Sequence, residues 1–325
     1  MPKPTADPVL VAENISKRFG QTQALSDVSV SFRAGEVHAL MGENGAGKST
    51  LGKVIAGLHK QDTGTITLLG KPLRAGSLDA AFHAGIRIVH QELAQCPNLT
   101  VAENLSLHDM PTRRGVVDFA EMSRRAESLV HQLDPSIDVL KPLGFLSPGR
   151  RQICQIAASL DLADDGSTAA KVIVFDEPTS SLSISEATTL MDITRKLADD
   201  GLCIIYVSHR MSEIFTCCDR VSVLRDGLFV ATNVVADIDE PTLVEQMIGR
   251  RIEAVNSKSK KNPIRIAIEE MVNGPEHPHH RPSTEPRLSV RSLCSPGKLF
   301  DISLDLHPGE VLGVGGLVGA GRSEL

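Results

Sequence analysis

The chain has 325 residues, 41% of them hydrophobic and 23% charged, an ordinary globular composition with room for roughly two domains. A net charge of −6 and a pI near 6.0 exclude a generally basic, nucleic-acid-coating protein, and a chain with no Trp and one Tyr lacks the stacking platforms of a single-strand binder. The opening MPKPTADP has no signal-peptide pattern, the ten apolar and glycine-rich residues 311–320 are too few to cross a bilayer, and the six cysteines, without a C-x-x-C pair, read as free thiols of a reducing cytosol.

Residues 1–8 read as a tail, and 9–41 alternate in strand fashion with turns at Phe19-Gly20 and Ala34-Gly35. Next comes a glycine-rich loop, 42–49, and then Leu51, Val54, Ile55 and Leu58, spaced as one face of a helix. Thr65 to Leu69 followed by Gly70-Lys71-Pro72 predicts a hairpin. Residues from about 92 to 160 carry helical spacing with many charges and read as a mostly helical insertion. Lys171–Phe175 and Leu202–Val207 are continuous apolar runs, as parallel strands covered on both faces require, with a helix over 185–198 between them. Val221–Leu224 and Leu228–Ala231 flank Asp226-Gly227, a two-residue hairpin signal. Residues 251–287, rich in Lys, Pro and His, read as a linker, with His277, His279 and His280 solvated rather than gathered on a metal.

Residues 42–49, Gly42-Glu43-Asn44-Gly45-Ala46-Gly47-Lys48-Ser49, follow the pattern G-x-x-x-x-G-K-[ST] between a strand and a helix, the context that a phosphate loop requires. Glycines let successive N–H groups point inward around a polyphosphate, and the helix aims its positive dipole end at the same anion. Lys48 reaches the terminal phosphates in this pattern and Ser49 holds a divalent cation. Further on, an apolar strand ends in Asp176-Glu177-Pro178-Thr179. An acid at a strand tip can orient a metal, and the next can polarise a water, the division of labour that phosphoryl transfer needs.

The sequence also repeats itself. GEVHALMGENGAGKSTL (35–51) aligns without a gap to GEVLGVGGLVGAGRSEL (309–325), so residues 288–325 read as the start of a second copy. There Arg322 replaces Lys48 and Glu324 replaces Thr50. A forked guanidinium is no substitute for a compact ammonium, and a carboxylate beside an anion seat is repulsive, so the second loop reads as degraded.

Together these motifs resemble an ATP-binding-cassette ATPase, over residues 9 to about 250 and again over 288–325. The resemblance implies an α/β fold: a phosphate-loop cassette with a mixed, mainly parallel sheet core, an antiparallel β subdomain and a helical subdomain, followed by a second cassette's beginning. It implies ATP and Mg²⁺ as ligands. Phe19 matches an aromatic that stacks on adenine; Gly42, Glu43, Asn44, Gly45, Ala46, Gly47, Lys48, Ser49 and Thr50 match the phosphate cradle. Gln91 matches a glutamine that touches Mg²⁺, alongside Ser49 and Asp176. Ser147 and Gly149, in Leu146-Ser147-Pro148-Gly149-Arg150-Arg151-Gln152, match the signature segment that meets another half's nucleotide. Ser180–Ser183 matches the dimer-contact loop, Glu177 the residue that activates water and His209 the switch histidine at the γ-phosphate.

A sound first loop joined to a degraded second one resembles the fused ATPases of bacterial monosaccharide importers of the ribose, galactose and xylose type. That resemblance implies a peripheral position on the cytoplasmic face of the cell membrane, with permease subunits, a periplasmic sugar-binding protein and a second cassette half or another cassette chain as partners, and no nucleic acid. A soluble tandem cassette acting on ribosomes or DNA is the alternative, and two intact loops would mark it. A non-hydrolysing ATP-binding module is another, since the chain stops at Leu325, before a second signature. Pro148 and Arg150 depart from the common L-S-G-G-Q signature, Ser183 from an aspartate, and residues 161–170 lengthen the usual link.

Overall fold

A computed structural model describes residues 7–89, 95–107, 109–160, 170–249, 285–295, 299–315 and 325. The chain divides into two compact units, Met1–Arg251 and Ile252–Leu325.

In the first unit, β1 (Pro8–Phe19) and β2 (Thr22–Arg33) form a long antiparallel hairpin, and β3 (Val37–Met41) leads through the glycine loop into α1 (Lys48–Ile55). Leu51, Val54 and Ile55 are buried as the spacing predicts, but Leu58 lies beyond the helix end and is partly exposed. Then follow β4 (Thr63–Leu68), β5 (Lys71–Pro72), α2 (Leu78–Ala84) and β6 (Ile86–Val89). The order β2-β1-β4-β5 makes a four-stranded antiparallel sheet.

The insertion contains α3 (Val101–Leu105), a small ribbon of β7 (Thr112–Arg113) and β8 (Val116–Val117), α4 (Phe119–Val130) and α5 (Pro148–Ser159). It is less helical than its charge spacing suggests. Arg114 and Gly115 both take positive φ and turn the ribbon, and Pro135 and Pro142 fall in the run of turns and one short 3-10 turn that separates α4 from α5.

The core sheet is completed by β9 (Val172–Asp176), α6 (Ile184–Asp199), β10 (Cys203–Val207), α7 (Met211–Cys217), β11 (Arg220–Arg225), β12 (Leu228–Val234) and α8 (Glu240–Ile248). Its order is β12-β11-β3-β10-β9-β6, parallel throughout except for β12. The apolar runs follow from this. Val172, Val174, Cys203, Ile205 and Val207 pack with α1 and the antiparallel sheet, while Ile173, Phe175, Ile204 and Tyr206 pack with α5 and α6. Both faces are covered, so β9 and β10 are built of apolar bodies up to the tip at Asp176, with the Tyr206 hydroxyl as a hydrogen-bonded polar atom among them. All strand tips that carry the motifs therefore open on one edge. No helix among the described residues is long and apolar enough to cross a membrane.

The second unit's described core is a hairpin of β13 (Leu288–Ser295) and β14 (Leu299–Leu306). Its pairs Leu288–Leu306, Val290–Leu304, Leu293–Ile302 and Ser295–Leu299 repeat Leu10–Phe32, Ala12–Val30, Ile15–Val28 and Lys17–Leu25, with irregularities at corresponding places. Asp27 and Asp301 share a positive φ, and Ser29 and Ser303 each accept a backbone N–H at 2.9 Å. The duplication is thus visible in register. The tip differs: residues 18–24 join Lys17 to Leu25, whereas only 296–298, Pro-Gly-Lys, join Ser295 to Leu299, so the second hairpin has no counterpart of Phe19. Val311, the counterpart of fully buried Val37, is 96% exposed. β3 lies between β10 and β11, and no strand among the described residues pairs with 311–315. Arg322 and Glu324 lie outside the described residues.

Candidate functional site

The loop 42–47 is shaped by two close approaches. Gly42 has φ +152° and Gly47 +97°. A Cβ on Gly42 would strike the carbonyl of Leu224, at the end of β11, and one on Gly47 would meet Ala24 O at 2.5 Å and Leu25 Cδ2 at 2.8 Å, on β2. The β11–β12 turn also bonds across: Gly227 N donates to Ala46 O at 3.3 Å, and Ser26 N donates to Gly227 O at 2.8 Å. Two distant segments thus clamp the loop from behind.

Lys48, at the first position of α1, is buried, and its Nζ donates to Gly42 O and Glu43 O, both at 2.9 Å. Burial lowers its pKa, while the charges of Glu177 and Asp176 act in the opposite direction. The ammonium therefore sits in the field of both acids. Ser49 and Thr50 follow it in the first turn of a helix whose N-cap, Gly47, offers no side chain to the free N–H groups.

Asp176 closes β9. Its Oδ1 is buried without a hydrogen-bond partner, and its Oδ2 is 3.8 Å from Lys53 Nζ, on α1. An orphaned carboxylate oxygen is costly in a protein interior and suits a cation. Glu177 takes a left-handed φ of 49° and donates its N–H to Val207 O at 3.0 Å. Its Oε1 lies 3.2 Å from His209 Nδ1. The carboxylate only accepts, so His209 carries its proton on Nδ1 and presents Nε2 elsewhere. Cradle, buried ammonium, orphaned carboxylate and Glu-His pair suit a polyphosphate accompanied by a hard cation.

Phe19 is exposed at the end of β1, edge-on to His59 with centroids 5.2 Å apart and with Lys17 Nζ 5.2 Å from its ring. It pairs with Thr22, two residues before Ala24 at the loop's back. Gln91 lies outside the described residues.

Ser147 and Gly149 sit apart from this group. α5 packs on α3, α4, α6 and β6, whereas α1 packs on β2, β6, β9 and β10. Ser147 caps α5 by accepting from Arg150 N, and Pro148 occupies the first helical position, where no N–H is needed. Ser183 likewise caps α6, in a capping box with Glu186. Glu186 was not legible as a link between the two helices, although S-x-x-E is a readable cap signal: its Oε1 also accepts Gly149 N at 3.1 Å. Lys53 and Glu213 also escaped sequence reasoning, since neither falls on a motif position of its helix.

The ABC transporter family model matches residues 25–180, from β2 to just past Glu177. The arabinose import ATP-binding protein of Burkholderia cenocepacia is 44% identical over 323 residues, 99% of this chain and 58% of that protein. Residues 25–180 thus form an ATP-binding-cassette domain. The ribose import ATP-binding protein of Rhizobium meliloti is 41% identical, over 99% of this chain and 58% of its own length. The chain thus spans somewhat more than half of the curated relatives it matches. A solved ATP-binding cassette of an ABC transporter in its ADP conformation superposes with a TM-score of 0.63 at 26% identity, covering 75% of this chain and all of that one. A nucleotide-free cassette gives 0.62 at 26% identity over the same shares, so the likeness of this cassette does not separate the two states.

Proposed function

We propose that this chain binds Mg-ATP in the cradle of residues 42–50 and couples its hydrolysis to monosaccharide import through a membrane permease. The observation that carries the reading is the meeting of Lys48, Asp176, Glu177 and His209 behind one clamped glycine loop, in a chain 41–44% identical to arabinose and ribose import ATP-binding proteins.

Bound Mg²⁺ would supply charge neutralisation between the phosphates, with Ser49, Asp176 and Gln91 as its protein partners. On binding, Lys48 Nζ exchanges its two carbonyl acceptors for phosphate oxygens, a stronger charge-assisted pairing. Phe19 offers the base an exposed ring. Glu177 orients a water and takes a proton on its carboxylate. His209, held through Nδ1, directs Nε2 towards the terminal phosphate. Ser147 and Gly149 serve the nucleotide of a second cassette half, whether from another chain or a longer form of this one. The hairpin 288–306 has no aromatic at its tip, and the second loop carries Arg322 and Glu324, so rapid turnover belongs to the first loop. The partners of this reading are permease subunits and a periplasmic sugar-binding protein, and its place is the cytoplasmic face of the inner membrane.

The test is reconstitution in vesicles with the permease, the binding protein and a complete second half. ATP-dependent uptake of labelled arabinose, ribose or another monosaccharide is expected. Binding of ATP without any sugar-dependent uptake would overturn the coupling.

A further inference from the structure

Glu213, in the first turn of α7, is 3% exposed and has no role in the chemistry above. A buried carboxylate is expensive unless its oxygens are fully satisfied. Here they are. Oε1 accepts from Thr179 Oγ1 at 2.5 Å, and Oε2 accepts from Ser208 Oγ at 2.7 Å and from the Tyr206 hydroxyl at 3.2 Å. The Arg210 guanidinium adds a charge 3.5 Å from Oε1. Burial pushes the Tyr206 phenol upward, so it remains a protonated donor. Three hydroxyls on two strand-tip segments thus converge on one acceptor, and all three of their owners, Thr179, Tyr206 and Ser208, are themselves buried.

The position of those hydroxyls gives the network its meaning. Thr179 is two residues after Glu177, and Ser208 immediately precedes His209. Ser208 Oγ also accepts Arg210 N at 3.1 Å, which folds the segment around His209. On the strand side the two segments are joined by Glu177 N donating to Val207 O. Beyond the strands, Glu213 is the bridge that joins them. The Glu177–His209 contact lies between these two ties.

We propose that Glu213 is a positioning residue that fixes the Glu177 carboxylate against the His209 imidazole. The proposal rests on the reading of Glu177 and His209 given above, and its structural half can be tested without turnover. Glu213→Gln keeps the volume but turns an N–H₂ donor towards hydroxyls that need an acceptor. Thr179→Val and Ser208→Ala each delete one strut.

The experiment is ¹⁵N NMR of the His209 ring in the whole chain, assigned with His209→Gln. The wild type should show the Nδ1–H form, and Glu177→Ala should lose that preference. Glu213→Gln is expected to lose it as well, with a thermal midpoint within a few degrees of wild type. In the hydrolysing assembly the same variant should lower kcat by about tenfold to a hundredfold and move the KM for ATP by less than about threefold. A merely structural role would reduce the folded fraction and leave kcat per folded site unchanged. If Glu213→Gln does not fold, Thr179→Val and Ser208→Ala carry the same two measurements. A His209 spectrum and a kcat that both match wild type would overturn the proposal. Absence of turnover in the wild-type assembly would instead count against the proposed function, and the spectrum would still judge Glu213.

Discussion

The amide of Gly149 donates to Glu186 Oε1 at 3.1 Å, and no room exists beside it for a methyl group: a Cβ on Gly149 would meet Glu186 Cβ, Cγ and Cδ within 2.8 Å. One carboxylate therefore caps two helices, α6 through Ser183 and α5 through Gly149. Burial pushes the Glu186 carboxyl upward, but bonds from Ser183, Ser147 and Gly149 outweigh it and hold the group below its usual range. Glu186→Ala should cost about 1–2 kcal/mol, the scale of a lost cap with an orphaned donor, read as a fall in the urea midpoint. Glu186→Gln should cost less. The contribution is present above the ordinary carboxylate range and is lost as pH falls through the lowered value. An unchanged midpoint in Glu186→Ala would show that the clasp contributes nothing to stability.

Lys48→Ala should weaken ATP binding by at least about tenfold, ~1.4 kcal/mol, because it removes the buried cation from the cradle. Titration with a fluorescent ATP analogue measures this. Equal affinities would remove the cradle from the proposed function.

Glu177→Gln should lower turnover in a complete assembly by about a hundredfold or more while ATP binding persists, since the amide keeps shape but cannot take a proton. Turnover equal to wild type would deny Glu177 the role of base.

His38 supplies a pH test remote from the site. Its Nε2 bonds Ser222 at 2.8 Å, and its Nδ1 is buried without a partner. Burial, helped by the charges of Arg220 and Arg33, lowers its pKa from 6.5 to about 3. The folded ring stays neutral while the unfolded ring gains a proton below pH about 6.5, so stability falls as pH drops from there towards about 3, by up to about 1.4 kcal/mol per unit from this group. Denaturant melts of wild type and His38→Gln between pH 7 and 4, roughly this window, should converge as the pH falls. Parallel pH profiles would contradict the assignment.

Much of the cassette was legible because its signals are local. The strand-loop-helix around Lys48, the Asp226-Gly227 hairpin with positive φ at both residues, and the apolar runs of β9 and β10 each follow from a few consecutive residues. The insertion was read too helically, since its charges mark solvent exposure rather than a period, and the ribbon at Thr112–Val117 is set by Arg114-Gly115. At the site, residues inside motifs were found, while Glu213, Glu186 and Lys53 were not. Their partners lie in other segments: Thr179 is 34 positions before Glu213 and Gly149 is 37 before Glu186. A carboxylate that satisfies distant hydroxyls looks, in one dimension, like any surface acid.

The clamp behind the glycine loop makes the nucleotide seat a composite object. Its rear wall is the turn at Leu224–Gly227, nearly two hundred residues downstream, whose carbonyl at 224 touches the space that Gly42 leaves open. Seen from outside, Asp226-Gly227 is an exposed two-residue hairpin, the sort of place where insertions are usually harmless. Here Gly227 is buried against Ala24 and is hydrogen-bonded to Ala46. Lengthening that turn would shift the wall and let the cradle relax, so a scan of insertions should record it as part of the ATP pocket, indistinguishable in phenotype from damage to the glycines themselves.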